Sequence, residues 1–255
     1  NTLHYAIAQD NNHGTSEVSA LFIASSWLGF IGESNNESNS WLKRSRKGLE
    51  ERVNYLVMDD GSFSQYSTNY HRLFLDSMSL VEFFRAKFYQ DRFSEQYKFK
   101  IGLAIDWLWQ LTDSNTGNIP NLGANDGAQL LHLSGKDYRD FRPSIQFSSV
   151  LFTSCRLYDE SDCDGILNWL NVDLKNTPYK SKNKQSKIFK HGGYVSIIGE
   201  SCKGFFRYPE FKFRPSQADF LHLDIMDNGI TVIGDAGSYS YNKGEQGFAM
   251  TQSEL

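Results

Sequence analysis

The chain has 255 residues, 40% of them hydrophobic and 15% aromatic, which is enough apolar surface to bury a core and too much for a disordered segment. A formal net charge of -4 provides no basic face of the kind duplex nucleic acid requires. No apolar run reaches the roughly 18 residues that a membrane span needs.

From Glu17 the apolar residues recur at helical spacing, first as Val18, Leu21, Phe22 and Leu28, then as Leu49, Val53, Leu56 and Val57. Thr15 or Ser16 is expected to cap the first helix, with Gly14 in a tight turn and Asn12 and His13 projecting from the loop before it. The polar stretch 59–72, which includes Gln65, reads as a turn leading into a helix over 70–88 marked by Leu73, Phe74, Met78, Val81 and Phe84. Tyr70 then stands at the positive end of that helix. With Arg72 or a protonated His71 beside it, its hydroxyl is expected to ionise below the usual value of about 10.

Ile101, Ile105, Leu108 and Trp109 mark the next helix, and two more are expected over 144–158 and 162–170. The Gly-rich loop 120–129 has no lysine in a phosphate-loop position, so it is not read as a nucleotide site. Its amides, Asn125 and Asp126 suit sugar hydroxyls, although a turn and helix cap would use the same residues. Long polar loops at 35–40 and 113–121 suit a toroid of helical hairpins, without any repeat of fixed length to prove it.

Near residue 176 the pattern changes. A Lys-rich stretch, 176–191, reads as a solvated linker that could also attract an acidic polymer. Strands are expected over 194–198, 204–208, 220–226 and 230–233, with a possible extension over 237–241. Asp227-Asn228-Gly229 forms a hairpin turn, because Asn-Gly tolerates the positive φ of type I′. The expected domains are therefore 1–175, helical, and 192–255, the start of an antiparallel sheet domain. Cys155, Cys163 and Cys202 form no metal-type cluster, and their odd number favours free thiols over a disulfide framework, with a Cys155–Cys163 bridge as the alternative. The first residues lack signal-peptide regions, and both ends read as cut, so a piece of a longer protein is expected.

Taken in order, Asn12-His13-Gly14, Ser67-Thr68-Asn69-Tyr70-His71-Arg72, the 120–127 loop, 217–224 and 234–241 resemble the heparinase II/III-type lyases and their alginate-lyase relatives. The resemblance spans nearly the whole chain. It implies an α+β multidomain protein in which an incomplete (α/α) helical toroid precedes an antiparallel β-sandwich. It also implies cleavage of uronate-containing acidic polysaccharide by β-elimination, with no cofactor in the chemical step. Asn12 and His13 would neutralise the uronate carboxylate, and Tyr70 would act as base at C-5 and, where geometry allows, as acid at O-4.

Under this resemblance the substrate would also be touched by Gln65, His71, Arg72, Asn125, Asp126, Gln217, His222 and Tyr239. Many relatives carry a histidine where this chain has Gln217, and it joins an aspartate matching Asp235 in binding a structural metal ion. Gln217 is a poor ligand, so no metal is expected. That departure places the chain in a branch resembling lyase-like proteins of bacterial surface-polysaccharide clusters, and the substrate class implies a periplasmic or secreted location. The competing readings are a glycoside hydrolase using Asp126 with Asp60 or Glu82, and a glycan-binding protein that has lost the chemistry.

Overall fold

The computed structural model describes residues 2–159, 161–180, 182–213, 217 and 219–237. Among these residues seven α-helices come first: α1 (Thr2–Ala8), α2 (Asn12–Phe30), α3 (Asn36–Leu56), α4 (Thr68–Lys87), α5 (Glu95–Leu111), α6 (Arg142–Thr153) and α7 (Gly165–Trp169). Five strands follow, β1 (Lys187–Phe189), β2 (Tyr194–Ile198), β3 (Cys202–Arg207), β4 (Leu223–Asp227) and β5 (Ile230–Ile233), in one antiparallel sheet of order β1-β2-β3-β4-β5. The expected order of a helical part and then an antiparallel sheet is present. No disulfide joins Cys155, Cys163 and Cys202.

Side-chain caps set most helix starts. Asn35 and Ser38 form a reciprocal capping box at α3, and Ser67 and Ser94 accept the backbone N–H three residues on at α4 and α5. At α2 the cap differs from expectation. Asn11 accepts from the His13 N–H, so the helix starts at Asn12, and Gly14 lies inside it, close against the backbone of Ala6 and Ile7. A Cβ at Gly14 would stand 3.1 Å from both, so this glycine serves helix packing, not a turn. Helix α6 stops at Thr153, short of residue 158, because Ser154 turns left-handed at φ 54°.

Phe22, Leu49, Val53, Phe74, Tyr97, Ile101 and Leu108 bring α2 to α5 into one core, with Phe63 stacked on Phe74 at 4.6 Å. Trp107 of α5 carries that core into the sheet, its ring 5.4 Å from Tyr194 and 6.1 Å from Phe189. The Lys-rich stretch 176–191 is therefore no free linker. Lys184 is half-buried over the Trp109 ring with its ammonium on the Thr112 carbonyl, Lys182 pairs with Asp106, and β1 already belongs to the sheet.

The β4–β5 hairpin turns at Asn228 and Gly229, both with positive φ (48° and 80°), as its Asn-Gly sequence predicts. The strand expected over 220–226 begins only at Leu223, because 220–221 form a turn with Leu221 at φ 61°. Gly237 lies outside any strand, and 238–241 fall outside the described residues.

Asp76 is fully buried in α4, and among the described residues no donor meets either carboxyl oxygen in good hydrogen-bond geometry, Ser144 being the hydroxyl that pulls on it. Burial pushes its pKa up to about 7 against the opposing pull of Ser144 and Arg72. An unfolded aspartate ionises near about pH 4, so the folded chain retains a proton that the unfolded chain releases. Asp76 thus contributes fully below about pH 4, and its contribution is lost as pH rises through about 7. Asp76→Asn is expected to unfold at or above the wild-type urea midpoint at pH 8, with the difference shrinking toward pH 4. A variant less stable than wild type at pH 8 would contradict this.

Candidate active site

Two helix N-termini meet at one rim of the helical part. At the first, Asn12 and His13 occupy the opening turn of α2, where the backbone N–H groups and the helix dipole favour an anion. Gln65 fixes this turn from a distance, its side-chain oxygen accepting the Asn12 N–H at 2.7 Å, while the Ser64 hydroxyl donates to the Asp10 carbonyl. The Asn12 side chain is half-buried and His13 is exposed.

The second N-terminus is that of α4, which begins just beyond Gln65. Tyr70 is the third residue of this helix, its N–H on the Ser67 hydroxyl and its phenol donating to Asp126 at 2.9 Å. The 120–126 loop wraps the same turn. Ser67 and Thr68 hydroxyls donate to the carbonyls of Ala124 and Pro120, and the Thr68 N–H donates to that of Leu122. Gly123 is essential to this closeness, since a Cβ there would lie 2.3 Å from the Tyr66 carbonyl and its φ is 68°.

Beside the loop lies a polar cleft of about 340 Å³, lined by Asn118, Asn121, Asn125, Arg139, Asp224, Thr231 and Asp235. It sits where the helical part meets β4 and β5. The Arg139 guanidinium holds its floor through Asn118, Asn121 and the Ile119 carbonyl. Asn125 accepts from the Tyr138 hydroxyl at 2.5 Å and donates to Asn121 at 2.9 Å. On the sheet side, His222 Nε2 stands 2.6 Å from Asp224 Oδ2. Burial raises the Asp224 carboxyl above its ordinary range, with His222 opposing.

The sequence profile of the heparinase II/III N-terminus matches residues 2–141, more than half of the chain. The chain belongs to the heparinase II/III family. Solved structures similar to this heparinase II/III-family chain include a heparinase III gene product at 18% identity, TM-score 0.66, covering 92% of this chain and 34% of that one. A second heparinase III structure matches at 13% identity, TM-score 0.66, covering 92% of this chain and 36% of that one. A heparan sulfate lyase mutant from Pedobacter heparinus matches at 17% identity, TM-score 0.66, covering 94% of this chain and 35% of that one. The chain thus spans about a third of the length of these structures, and at such identities the likeness concerns the fold. No curated protein sequence matches it.

Within this heparinase II/III framework, the residues named from sequence fall into distinct groups. Tyr70, Asp126 and Asn125 gather at the loop-wrapped turn, and Asn12, His13 and Gln65 at the adjacent helix start. His71 and Arg72 do not join them. The His71 ring is fully buried, stacked 4.7 Å from Trp107 with Nε2 on the Ala104 carbonyl, and burial drives its pKa down to about 3, so it is neutral. Arg72 is equally buried, lying between the Tyr138 and Phe141 rings (4.5 and 4.2 Å) and donating to the Tyr138 carbonyl and Asn69. His71 therefore supplies no imidazolium beside Tyr70, and Arg72 braces the site from within.

Gln217 is half-buried, and His222 precedes β4, so its contact with Asp224 comes from the loop and not from strand alternation. Tyr239 lies outside the described residues. Among the described residues no three His, Cys, Asp or Glu side chains converge on a metal position. Gln217 offers only an amide, Asp219 is tied to Arg207, and Asp235 accepts the Gly237 N–H, so these side chains do not fit the metal site that the resemblance brings. Tyr138, Asn118, Asn121 and Arg139 were missed. Tyr138-Arg139 could have been flagged as an aromatic–cation pair in a polar loop, but only the fold shows that it meets Asn125 and Asn121.

Proposed function

We propose that this chain supplies the helical catalytic part and the first strands of a polysaccharide lyase that cleaves uronate-containing acidic glycans by β-elimination. The observation that carries the reading is Tyr70. Its phenol sits on an accessible helix N-terminus, bonded to Asp126, next to the helix start that presents Asn12 and His13.

In this reading the carboxylate of the reacting sugar lies against the side chains of Asn12 and His13 at the positive end of α2, which take up charge as C-5 loses its proton. Asp126 accepts the phenol proton, so that Tyr70 Oη can remove the C-5 hydrogen. The C4–O4 bond then breaks, the C4=C5 double bond forms, Tyr70 passes the C-5 proton to the leaving O-4, and Asp126 gives the phenol its own proton back. Asn125 and the amide-lined cleft bind hydroxyls of neighbouring sugars. A substrate of this class would be met in the periplasm or outside the cell, which is the location this reading carries.

The hydrolase alternative needs a second carboxylate opposite Asp126. Asp60 is engaged by the Ser62 N–H and hydroxyl and by the Gly192 N–H, and Glu82 is held by Arg85 through two bonds. A panel of acidic polysaccharides tests the reading. Elimination leaves a conjugated product that absorbs in the ultraviolet, hydrolysis gives new reducing ends without that absorbance, and a binding protein leaves chain length unchanged. Either of the last two results on every polymer cleaved or bound removes the lyase reading.

A further inference from the structure

A second cleft, of about 170 Å³, opens between the end of α3, the 57–59 segment, α5 and the loops that carry His191 and Lys212. Its polar walls are Asn54, Asp59, Lys100, His191 and Lys212, with Tyr55 beside them. Lys100 is buried, and its ammonium donates to the Val57 carbonyl at 2.9 Å and to Asp59 at 2.6 Å. An ammonium has three N–H donors. Among the described residues nothing accepts the third, and the side chain that bears it lines the cleft.

Lys212 is exposed and rests over the Tyr55 and Phe213 rings, 5.4 and 5.3 Å away, with no ion pair among the described residues. The His191 ring and the Asn54 amide likewise have no hydrogen-bond partner there. The loops themselves are fixed: the Lys212 N–H donates to Tyr66 Oη at 2.9 Å, and the Gly192 N–H to Asp60 at 2.8 Å. Two lysines face one aspartate, so the cleft carries excess positive charge on a chain of net charge -4. Donors that converge from α5, from α3 and from both loops suit a tetrahedral oxyanion with several acceptor oxygens better than a planar carboxylate. Tyr66, which anchors the Lys212 loop, directly precedes the Ser67 cap of Tyr70's helix, so the Lys212 wall of this cleft is tied through one residue to the proposed catalytic helix.

We propose that the Lys100–Lys212–His191 cleft is an oxyanion site that takes a sulfate group of an acidic glycan at a distance from the sugar that reacts. The glycan part of this assignment rests on the lyase reading above, whereas the oxyanion site does not. Thermal unfolding of the whole chain in sodium sulfate, against sodium chloride of equal ionic strength, is expected to show a saturable upward shift. That shift should vanish in Lys212→Glu, shrink in His191→Ala and persist in Tyr70→Phe. Lys212 and His191 are exposed, so both variants should fold.

A sulfated uronate oligosaccharide is expected to bind Tyr70→Phe more tightly than inorganic sulfate does, and to lose about tenfold in affinity when Lys212→Glu is added. Its desulfated counterpart should be indifferent to that change. An equal sulfate shift in Lys212→Glu and wild type overturns the oxyanion site. Oligosaccharide binding that ignores Lys212→Glu overturns the glycan assignment. If no polymer yields an unsaturated product while sulfate binding still depends on Lys212, the lyase reading fails and the oxyanion site stands.

Discussion

Tyr70→Phe is expected to lower glycan cleavage by about 10²- to 10⁴-fold, the range over which a positioned proton-transfer group contributes. The substitution removes one oxygen, and its hydrogen bond to Asp126 lies at an exposed position, so folding and substrate affinity should change little. The informative readout is the division between kcat and KM. A loss confined to kcat means that the phenol acts in the transition state, whereas a rise in KM alone means it only binds. Asp126→Asn separates the two partners further, because it retains the loop and weakens the acceptor for the phenol proton. It should lower turnover less than Tyr70→Phe does. Wild-type turnover by Tyr70→Phe on a polymer that the native chain cleaves would remove Tyr70 from the chemistry.

The difference between Tyr70 and its two neighbours marks how far sequence reaches. His71 and Arg72 adjoin Tyr70 in the chain and look like partners for it, but successive helical residues are turned by about 100°. A phenol directed to the rim therefore sends the next two side chains inward, where they are buried against Trp107 and between Tyr138 and Phe141. Periodicity identified α2 to α5 because each buries a stripe, and alternation identified β2 to β4; β5, exposed throughout, was signalled by the Asn-Gly turn before it, and β1 was hidden in the Lys-rich stretch. Periodicity missed α1, which has seven residues, too few to show a period. The α2 cap was misplaced for a related reason. Thr15 and Asn11 are both good caps locally, and what favours a start at Asn12 includes Gln65, 53 residues away. The polar cleft was invisible for the same reason, being assembled from the 118–125 loop, Arg139 and the β4–β5 hairpin.

Asp219→Ala is expected to destabilise the chain by about 3–5 kcal/mol, because it strands a buried charge. Arg207 at the end of β3 has no exposed side-chain surface, and Asp219 meets its Nη1 at 2.5 Å. The guanidinium is otherwise bordered by the rings of Phe211, Tyr66 and Tyr194 at 5.4, 5.9 and 6.0 Å, which offer cation–π attraction but no acceptor for its N–H groups. Among the described residues its Nε and Nη2 have no partner, and Asp219 is the main compensation for burying it. The ion pair also ties residue 219 to the sheet immediately ahead of His222, whose carbonyl accepts the Arg207 N–H. Losing Asp219 should therefore disturb the sheet side of the cleft as well as the fold. Urea unfolding should show a lower midpoint at an unchanged slope. The double variant Arg207→Met/Asp219→Ala should recover much of the loss, since it removes the charge together with its partner. A single variant within about 1 kcal/mol of wild type would mean that water or another acceptor already serves Arg207, and a double variant no better than the single would mean that packing, not the unpaired charge, sets the cost.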